Sequence, residues 1–510
     1  MKNRLLATLV VTVFLLGSLA LVTAADTAPD RGGELLVGLR QEIGNLDPHL
    51  ATSFSSFRVI EVMYEGLLRH DEGGALEPAL ASDWEISEDG KTYTFHIRKG
   101  VRFHDGTELT AEDVKASYNR ILDPELGSPQ ASRLQKIENM EVTDKYEIKI
   151  TLSSKFAPFL NKVSGPGRAI VPKSVAEGGE NLKKKVAGTG PFTLSNWVPG
   201  EQVVLERNQD YWMEGLPYLD KVSYKIIPEP ATRRAALQGG DIHMIPSAES
   251  TSVKVLQGSK KLKVISTQEL AYSLIGFNLE REPLNDSRVR RAISYATNRE
   301  EIIQAVYDGL ATVGTPLPPA LSEWYLKPSE LKTYEQDYEK ARELLQEAGY
   351  EDGIKFSVTV SPTLQTALQI AQVLQQQLKP AGINMELNTV EWGTFLDAWR
   401  NSDFDSFASL NGGSFDPDGY YYRTFHSDGS TNVFNYSDPV MDDLLEKGRV
   451  TTDLEERKEI YDRIQKRLVE EMPILFVAYA DLHSIVRENV MDFAQLSDRS
   501  MVLLRRTWLN

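Results

Sequence analysis

The sequence predicts an α/β protein folded as more than one lobe, and three observations carry that reading. A chain of 510 residues is too long for a single hydrophobic core, so two or three lobes are expected. Segments with strand-like alternation and segments with helical spacing follow one another along the whole chain, which argues α/β lobes. Hydrophobic residues make up 41% and charged residues 25%, the composition of a soluble globular protein. There is no internal repeat and no low-complexity linker.

The elements follow in order. Lys2 and Arg4 precede the apolar run LLATLVVTVFLLGSLALV and then the small residues of VTAAD. That order reads as a secretory signal peptide over residues 1–25, cut after Ala24 or Ala25 rather than kept as a membrane anchor. GELLVGLRQEIGNLDP is a strand leaving into a turn at Asp47-Pro48. Tyr93, Phe95 and Ile97 alternate with polar residues, as do Ile148, Ile150 and Leu152. Thr110 with Asp113 forms a capping box opening the helix DVKASYNRIL. The Gly/Pro junction GTGPF precedes the strand EQVVLERN, and Gly239-Gly240 stops the helix ATRRAALQ before another strand. SLIGFNL is an apolar strand, and SRVRRAISYATNREEIIQAVYDG is one helical stretch closed by Gly309. Asp337 caps an amphipathic helix with Ala341, Leu344, Leu345 and Ala348 on one face. Ala367, Ala371, Leu374 and Leu378 mark a second helix, followed by the strand INMELNT. Ile460, Ile464 and Leu468 mark a third, and the strand PILFVAY comes after it.

Charge and motif content exclude several function classes. The net charge is −17, and no basic cluster is visible that would reverse it locally, so nucleic acid is not an expected partner. There is no cysteine, which excludes disulfides, thiolate chemistry and a lipid-modified N-terminal cysteine. The chain has no nucleophile elbow, P-loop or zinc-protease helix, and the glycine pairs lack the third glycine of a dinucleotide fingerprint. The seven histidines are scattered, and His426 reads as a satisfied loop histidine. No metal and no cofactor are expected. A secreted hydrolase is a remote alternative, with neither triad nor metal motif to support it. What remains is a binding protein. Its most unusual stretch is NGGSFDPDGYYYRTFHS, residues 411–427, which fits no helix or strand pattern. In DPDG, Tyr420 stands where a calcium loop would need its next oxygen ligand.

Several segments together resemble the solute receptors of ABC importers of the dipeptide- and oligopeptide-binding type, extracellular family 5. They include NLDPHL, YEGLLRHDEGG, PALASDWEISEDGKTYTFHIRKGVRFHDGTELTAEDV, VAGTGPFTLSNWVPGEQVVLERNQDYW, FNLEREPLNDSRVRRAISYATNR and NYSDPVMDDLLEKG. They run in the family's order from about residue 33 to the C-terminus. The resemblance implies a two-lobed periplasmic binding protein fold of type II, with an extra subdomain inserted in the first lobe. Residues 33–66, 190–277 and 478–510 would form lobe I, 67–189 the insertion and 278–477 lobe II. The hinge would lie at Phe277, Asn278, Val477 and Ala478. It also implies a non-enzymatic, monomeric periplasmic receptor without a lipid anchor that delivers its solute to membrane permease subunits.

The ligand-binding residues implied are Phe54, Trp392, Trp399, Asn411, Gly412, Gly413, Phe415, Asp416, Asp418 and Tyr420. In such receptors a carboxylate four residues before a DP or EP proline holds the ligand ammonium. Counting back from Pro417 reaches Gly413, and a one-residue shift reaches Ser414. An arginine for the ligand carboxylate would fall at Ser361. Both charges of a short-peptide site are thus missing from these positions, although Asp416 or Asp418 could substitute. The expected ligand is a peptide or peptide-like solute, with an oligosaccharide or other neutral solute as the alternative. A neutral ligand would stack on Trp392. Of Tyr420, Tyr421 and Tyr422, at most two could line a cleft if the segment is extended.

Overall fold

In the computed structural model, which describes residues 29–178, 182, 186–331 and 335–510, two strands much longer than the rest run through the middle of the molecule. They are Leu262–Phe277 and Ile474–Arg487, paired antiparallel along most of their length. Around them one sheet extends to both sides. On one side lie Ser406–Asn411, Ile354–Val360 and Ile383–Thr389. On the other lie Met244–Ile245, Glu34–Leu39, Lys221–Ile226, Gln202–Arg207 and Phe192–Val198. The expected signal peptide lies outside the described residues. Among the described residues, no helix is long and apolar enough to cross a membrane.

Separate cores make the lobes. Leu35, Val37, Val59, Met63, Val222 and Leu504 share the core of the first. The second has an aliphatic cluster around Ile293, Leu344, Val358 and Leu374, and an aromatic one around Tyr272, Phe407, Tyr421 and Phe476. A third body surrounds a four-stranded antiparallel sheet, where Tyr93, Phe95, Ile148 and Ile150 pack with Val114 and Tyr118 of the helix Ala111–Leu122. The molecule is therefore a two-lobed α/β protein carrying an inserted subdomain. The end of the expected inserted segment, 67–189, packs on the first lobe. Val171, Val175, Leu182 and Ala187 pack into the first lobe's core.

Most local expectations hold because they rest on local physics. Tyr93, Phe95 and Ile97 are the buried residues of Thr92–Ile97. Asp113 Oδ2 accepts from the Thr110 N–H at 2.8 Å, closing the capping box. Asp337 Oδ1 accepts from the Lys340 N–H at 2.9 Å and starts the helix Tyr338–Glu347. Two expectations fail on competing signals. The stretch 287–309 is two helices, Ser287–Tyr295 and Arg299–Tyr307, because Asn298 caps the second through the Glu301 N–H. The tyrosine run is also helical, over Asp418–Phe425, so its residues do not alternate. Tyr420, Tyr421, Thr424 and Phe425 form its buried face, a helical spacing masked by the turn-like DPDG before it.

Of the expected hinge residues, Phe277, Val477 and Ala478 belong to the second lobe's aliphatic core. Phe277 and Asn278 contact second-lobe residues on the neighbouring strand and the turn before it. Phe277 pairs with Ser406 and is fully buried, and the Asn278 amide donates to the Ser402 and Phe404 carbonyls. The pairing of the two long strands breaks elsewhere. Gln268 lies opposite Asp481 and Tyr272 opposite Tyr479, so Glu269, Leu270 and Ala271 bulge against the single residue Ala480. A smaller irregularity skips Val477, between the pairs Ser273–Ala478 and Leu274–Phe476.

Candidate functional site

Where the two lobes and the inserted body meet there is a cavity of about 360 Å³. One wall is the helix Phe54–Ile60, whose cap Ser53 accepts from the Ser56 N–H at 3.2 Å. Phe54, Arg58 and Glu61 follow at helical spacing, so one face of that turn presents a ring, a guanidinium and a carboxyl to the cavity. A second wall is Ser497–Ser500, near the C-terminus. The inserted body supplies His70, Gln130, Arg133, Asn161 and the turn at 164–168. The second lobe supplies Gly412–Phe415 and the bulge Glu269–Ala271.

The bulge and the glycine turn are built against each other. The Tyr420 hydroxyl donates to the Leu270 carbonyl at 2.7 Å. A Cβ on Gly413 would lie 2.0 Å from that hydroxyl and 2.3 Å from the same carbonyl. No side chain fits there. The absence of a carboxylate at residue 413 is thus a packing requirement of this turn.

Apart from Glu269 of the bulge, the charged groups of the cavity come from the first lobe and the inserted body. Burial pushes the Glu61 carboxyl up to about 8, although the Ser500 hydroxyl (2.6 Å) and the Met501 N–H donate to it. Desolvation by the surrounding protein also raises Asp498, which is exposed where it opens onto the cavity. The Asp498 carboxylate accepts from the Ser500 N–H at 3.0 Å and forms no ion pair among the described residues. Burial lowers Arg168 to about 9, with Arg133 adding repulsion, and lowers Arg58 to about 10. His70 is lowered by burial; its Nε2 meets the Asn161 Oδ1 at 2.9 Å, and its ring packs on Phe415. Glu269 and Arg499 pair with each other, and the Arg499 guanidinium lies 4.8 Å from the Phe54 ring centre.

The sequence-predicted site residues divide sharply. Phe54, Gly412, Gly413 and Phe415 line the cavity, and Phe54 is 55% exposed. Trp392 and Trp399 do not. Trp392 stacks on Phe395 of its own helix, 5.5 Å between ring centres, and Trp399 packs on the second lobe's aromatic cluster. Tyr420 is fully buried. Asn411 bridges the Tyr272 hydroxyl and Arg423 at 2.9 and 2.8 Å. Ser361 is buried at the end of a strand. His426 stacks on Tyr422, and its Nδ1 accepts from the Asp428 N–H at 3.1 Å.

Asp416 and Asp418 are both engaged within the protein. Asp416 accepts two bonds from Arg457, at 2.8 and 2.9 Å, with both side chains buried. Asp418 accepts from Arg449 at 2.7 Å and lies 3.7 Å from Lys162 of the inserted body. They cannot replace a missing ligand-binding carboxylate without breaking these pairs. Sequence reasoning missed Arg58, Glu61, Arg133, Arg168 and Asp498. The 497–500 segment, SDRS, looks like any polar surface turn, and its proximity to residues 54–61 exists only in the folded chain.

The arrangement can hold a solute by ionic and hydrogen-bonding contacts of both signs, over a partly aromatic wall. Among the described residues, no three His, Asp or Glu side chains gather as a metal site would require. Residues 75–432 match the family model described as bacterial extracellular solute-binding proteins, family 5 Middle. The oligopeptide-binding protein AppA of Bacillus subtilis is 29% identical over 504 residues, covering 94% of this chain and 92% of the relative. The glutathione-binding protein GsiB of Escherichia coli K12 is 28% identical over 494 residues, covering 91% and 92%. The solved structure of B. subtilis AppA with a nonapeptide is 30% identical, with a TM-score of 0.73 over 95% of this chain and all of that one. That of HbpA2 from Haemophilus parasuis is 26% identical, with a TM-score of 0.87 over 94% of this chain and all of that one.

Proposed function

The chain belongs to the bacterial extracellular solute-binding proteins of family 5, and from that premise we propose that it is the receptor of an ABC importer for a peptide or peptide-like solute. The solute is captured between the lobes on the outer side of the membrane and handed to the permease. The observation that carries the ligand class is the presence of both charge signs in one cavity. Among the described residues Asp498 forms no salt bridge, with His70 and Arg168 as its attracting groups, and Arg133 has no anionic partner. A zwitterionic peptide supplies both counter-charges. A neutral solute, such as an oligosaccharide, would leave both exposed charges without a counter-charge once the lobes closed over them, which disfavours it.

The position of the bulge supports closure as part of this reading. Glu269, Leu270 and Ala271 interrupt the pairing of the long strands and also line the cavity. A ligand touching them would act on the segment where we expect the lobes to bend, a hinge at Gln268–Tyr272 opposite Tyr479–Asp481. Hinge bending that absorbs its change in a few residues is a standard mode of closure.

Native mass spectrometry of the purified protein, followed by calorimetry with peptides of two to nine residues, tests the ligand class. Binding peptides should lower the radius of gyration in solution scattering and raise the melting temperature. Tight binding of a neutral sugar with no peptide binding would overturn the ligand class. Tight binding with an unchanged scattering curve would overturn the closure.

A further inference from the structure

A second chamber, of about 590 Å³, adjoins the cavity between the inserted body and the second lobe. The two share Arg133 and Gly412–Ser414 in their walls. Arg133, Lys136 and Lys162 of the inserted body face Arg423 and Arg449 of the second lobe across it. Asp418 is the one carboxylate among the described residues of this wall. Five cations against one anion is a local reversal of sign in a chain of net charge −17.

The partners of these cations decide which is available. Arg449 and Lys162 share Asp418, Lys136 donates to the Ser154 hydroxyl at 3.1 Å, and Arg423 donates to the Asn411 side chain at 2.8 Å. For the Arg133 guanidinium there is neither a hydrogen-bond partner nor an ion pair among the described residues, and its side chain stands open to both spaces. Burial and the nearby Arg423 both push Arg133 below the ordinary arginine value. An anion between them would relieve the repulsion, and the planar guanidinium suits a two-oxygen partner.

We propose that this chamber receives a carboxylate of the solute, with Arg133 as its principal counter-ion, so that the receptor selects acidic ligands. The proposal rests on the peptide reading above and narrows it: the solute carries a carboxylate that extends past Gly412–Ser414 out of the central cavity. That carboxylate could be a peptide's C-terminus or an acidic side chain.

The test uses the full-length mature protein and matched peptides of three to five residues. Each is compared with its C-terminal amide and with its Glu-to-Gln counterpart, by calorimetry at fixed ionic strength. The acidic member of at least one pair should bind about tenfold or more tightly, and Arg133→Gln should erase that ratio while Arg133→Lys keeps part of it. Which pair responds tells a C-terminal from a side-chain carboxylate. Because the Arg133 guanidinium has no partner among the described residues, the variant should melt where the parent does. Peptides that bind regardless of the carboxylate, or a ratio unchanged in Arg133→Gln, would overturn the chamber assignment and leave the peptide reading standing. If no peptide binds, the peptide reading has failed and glutarate decides the chamber alone. A saturable rise in melting temperature with glutarate, absent in Arg133→Gln, supports it; no rise over matched chloride overturns it.

Discussion

Two short segments face the central cavity from opposite lobes, and they treat their acidic residues in opposite ways. On the second lobe, residues 412–418 hold Asp416 and Asp418, conspicuous in the sequence and close to the glycine turn. Both are committed to internal partners, Arg457 and Arg449. On the first lobe, Ser497–Ser500 holds Asp498, inconspicuous in the sequence, whose carboxylate has only a backbone N–H as a hydrogen-bond donor among the described residues. The first segment gives the cavity backbone, a glycine turn and the Phe415 ring; the second gives it charge. A carboxylate is available to a ligand only where the fold has not already supplied its cation. Proximity to a loop says nothing about that.

The strongest way to break this contrast is to remove a partner of Asp416. Arg457→Ala strands a buried carboxylate and should destabilise the protein by about 3 to 5 kcal/mol in denaturant unfolding. Asp416→Asn should cost stability and leave ligand affinity largely unchanged. If Asp416→Asn instead abolished binding and left stability intact, the division between structural and ligand-facing acids would collapse.

A second test acts on the first lobe's side through pH. The Glu61 carboxyl is raised to about 8 when folded, against an ordinary value near 4.5. The folded state therefore holds a proton that the unfolded chain releases between these values. This contribution makes stability fall as pH rises from about 5 to 8, by on the order of a few kcal/mol. Glu61→Gln, which carries no titrating proton, should flatten that part of the profile. A parent protein whose melting temperature does not fall over this range would show that Glu61 is ionised at neutral pH.

Gly413→Ala sharpens the second lobe's side. The added methyl meets the Tyr420 hydroxyl and the Leu270 carbonyl, so the turn or the bulge must shift. The expected cost is about 1 to 3 kcal/mol by thermal unfolding, with weaker ligand binding because the bulge residues line the cavity. The smallest effect is expected at Trp392. Its side chain is 37% exposed and stacks within its own helix, away from the cavity. Trp392→Ala should cost less than about 1 kcal/mol and leave affinity unchanged by calorimetry. A tenfold loss of affinity there would restore the sequence's view of it as a ligand platform.

The sequence by itself determined the α/β class, the family resemblance and most elements. Those features are local: alternation at Tyr93, Phe95 and Ile97, the capping box of Thr110 and Asp113, and the helical faces at Leu344 and Ile464 each depend on neighbours a few residues away. The wall formed by Gly412, Gly413 and Phe415 was legible as well, through glycine placement and the family's order of segments. Only the tertiary structure decided which charges are free. Arg457 silences Asp416 across 41 residues, and the basic chamber joins residues 133–162 to 423–449. It also set the length of the strand from Leu262, which extends well before the apolar stretch SLIGFNL because Ile474–Arg487 pairs with it. Electrostatic pairing and strand partnering act through space, and along the chain these partners stand tens to hundreds of residues apart.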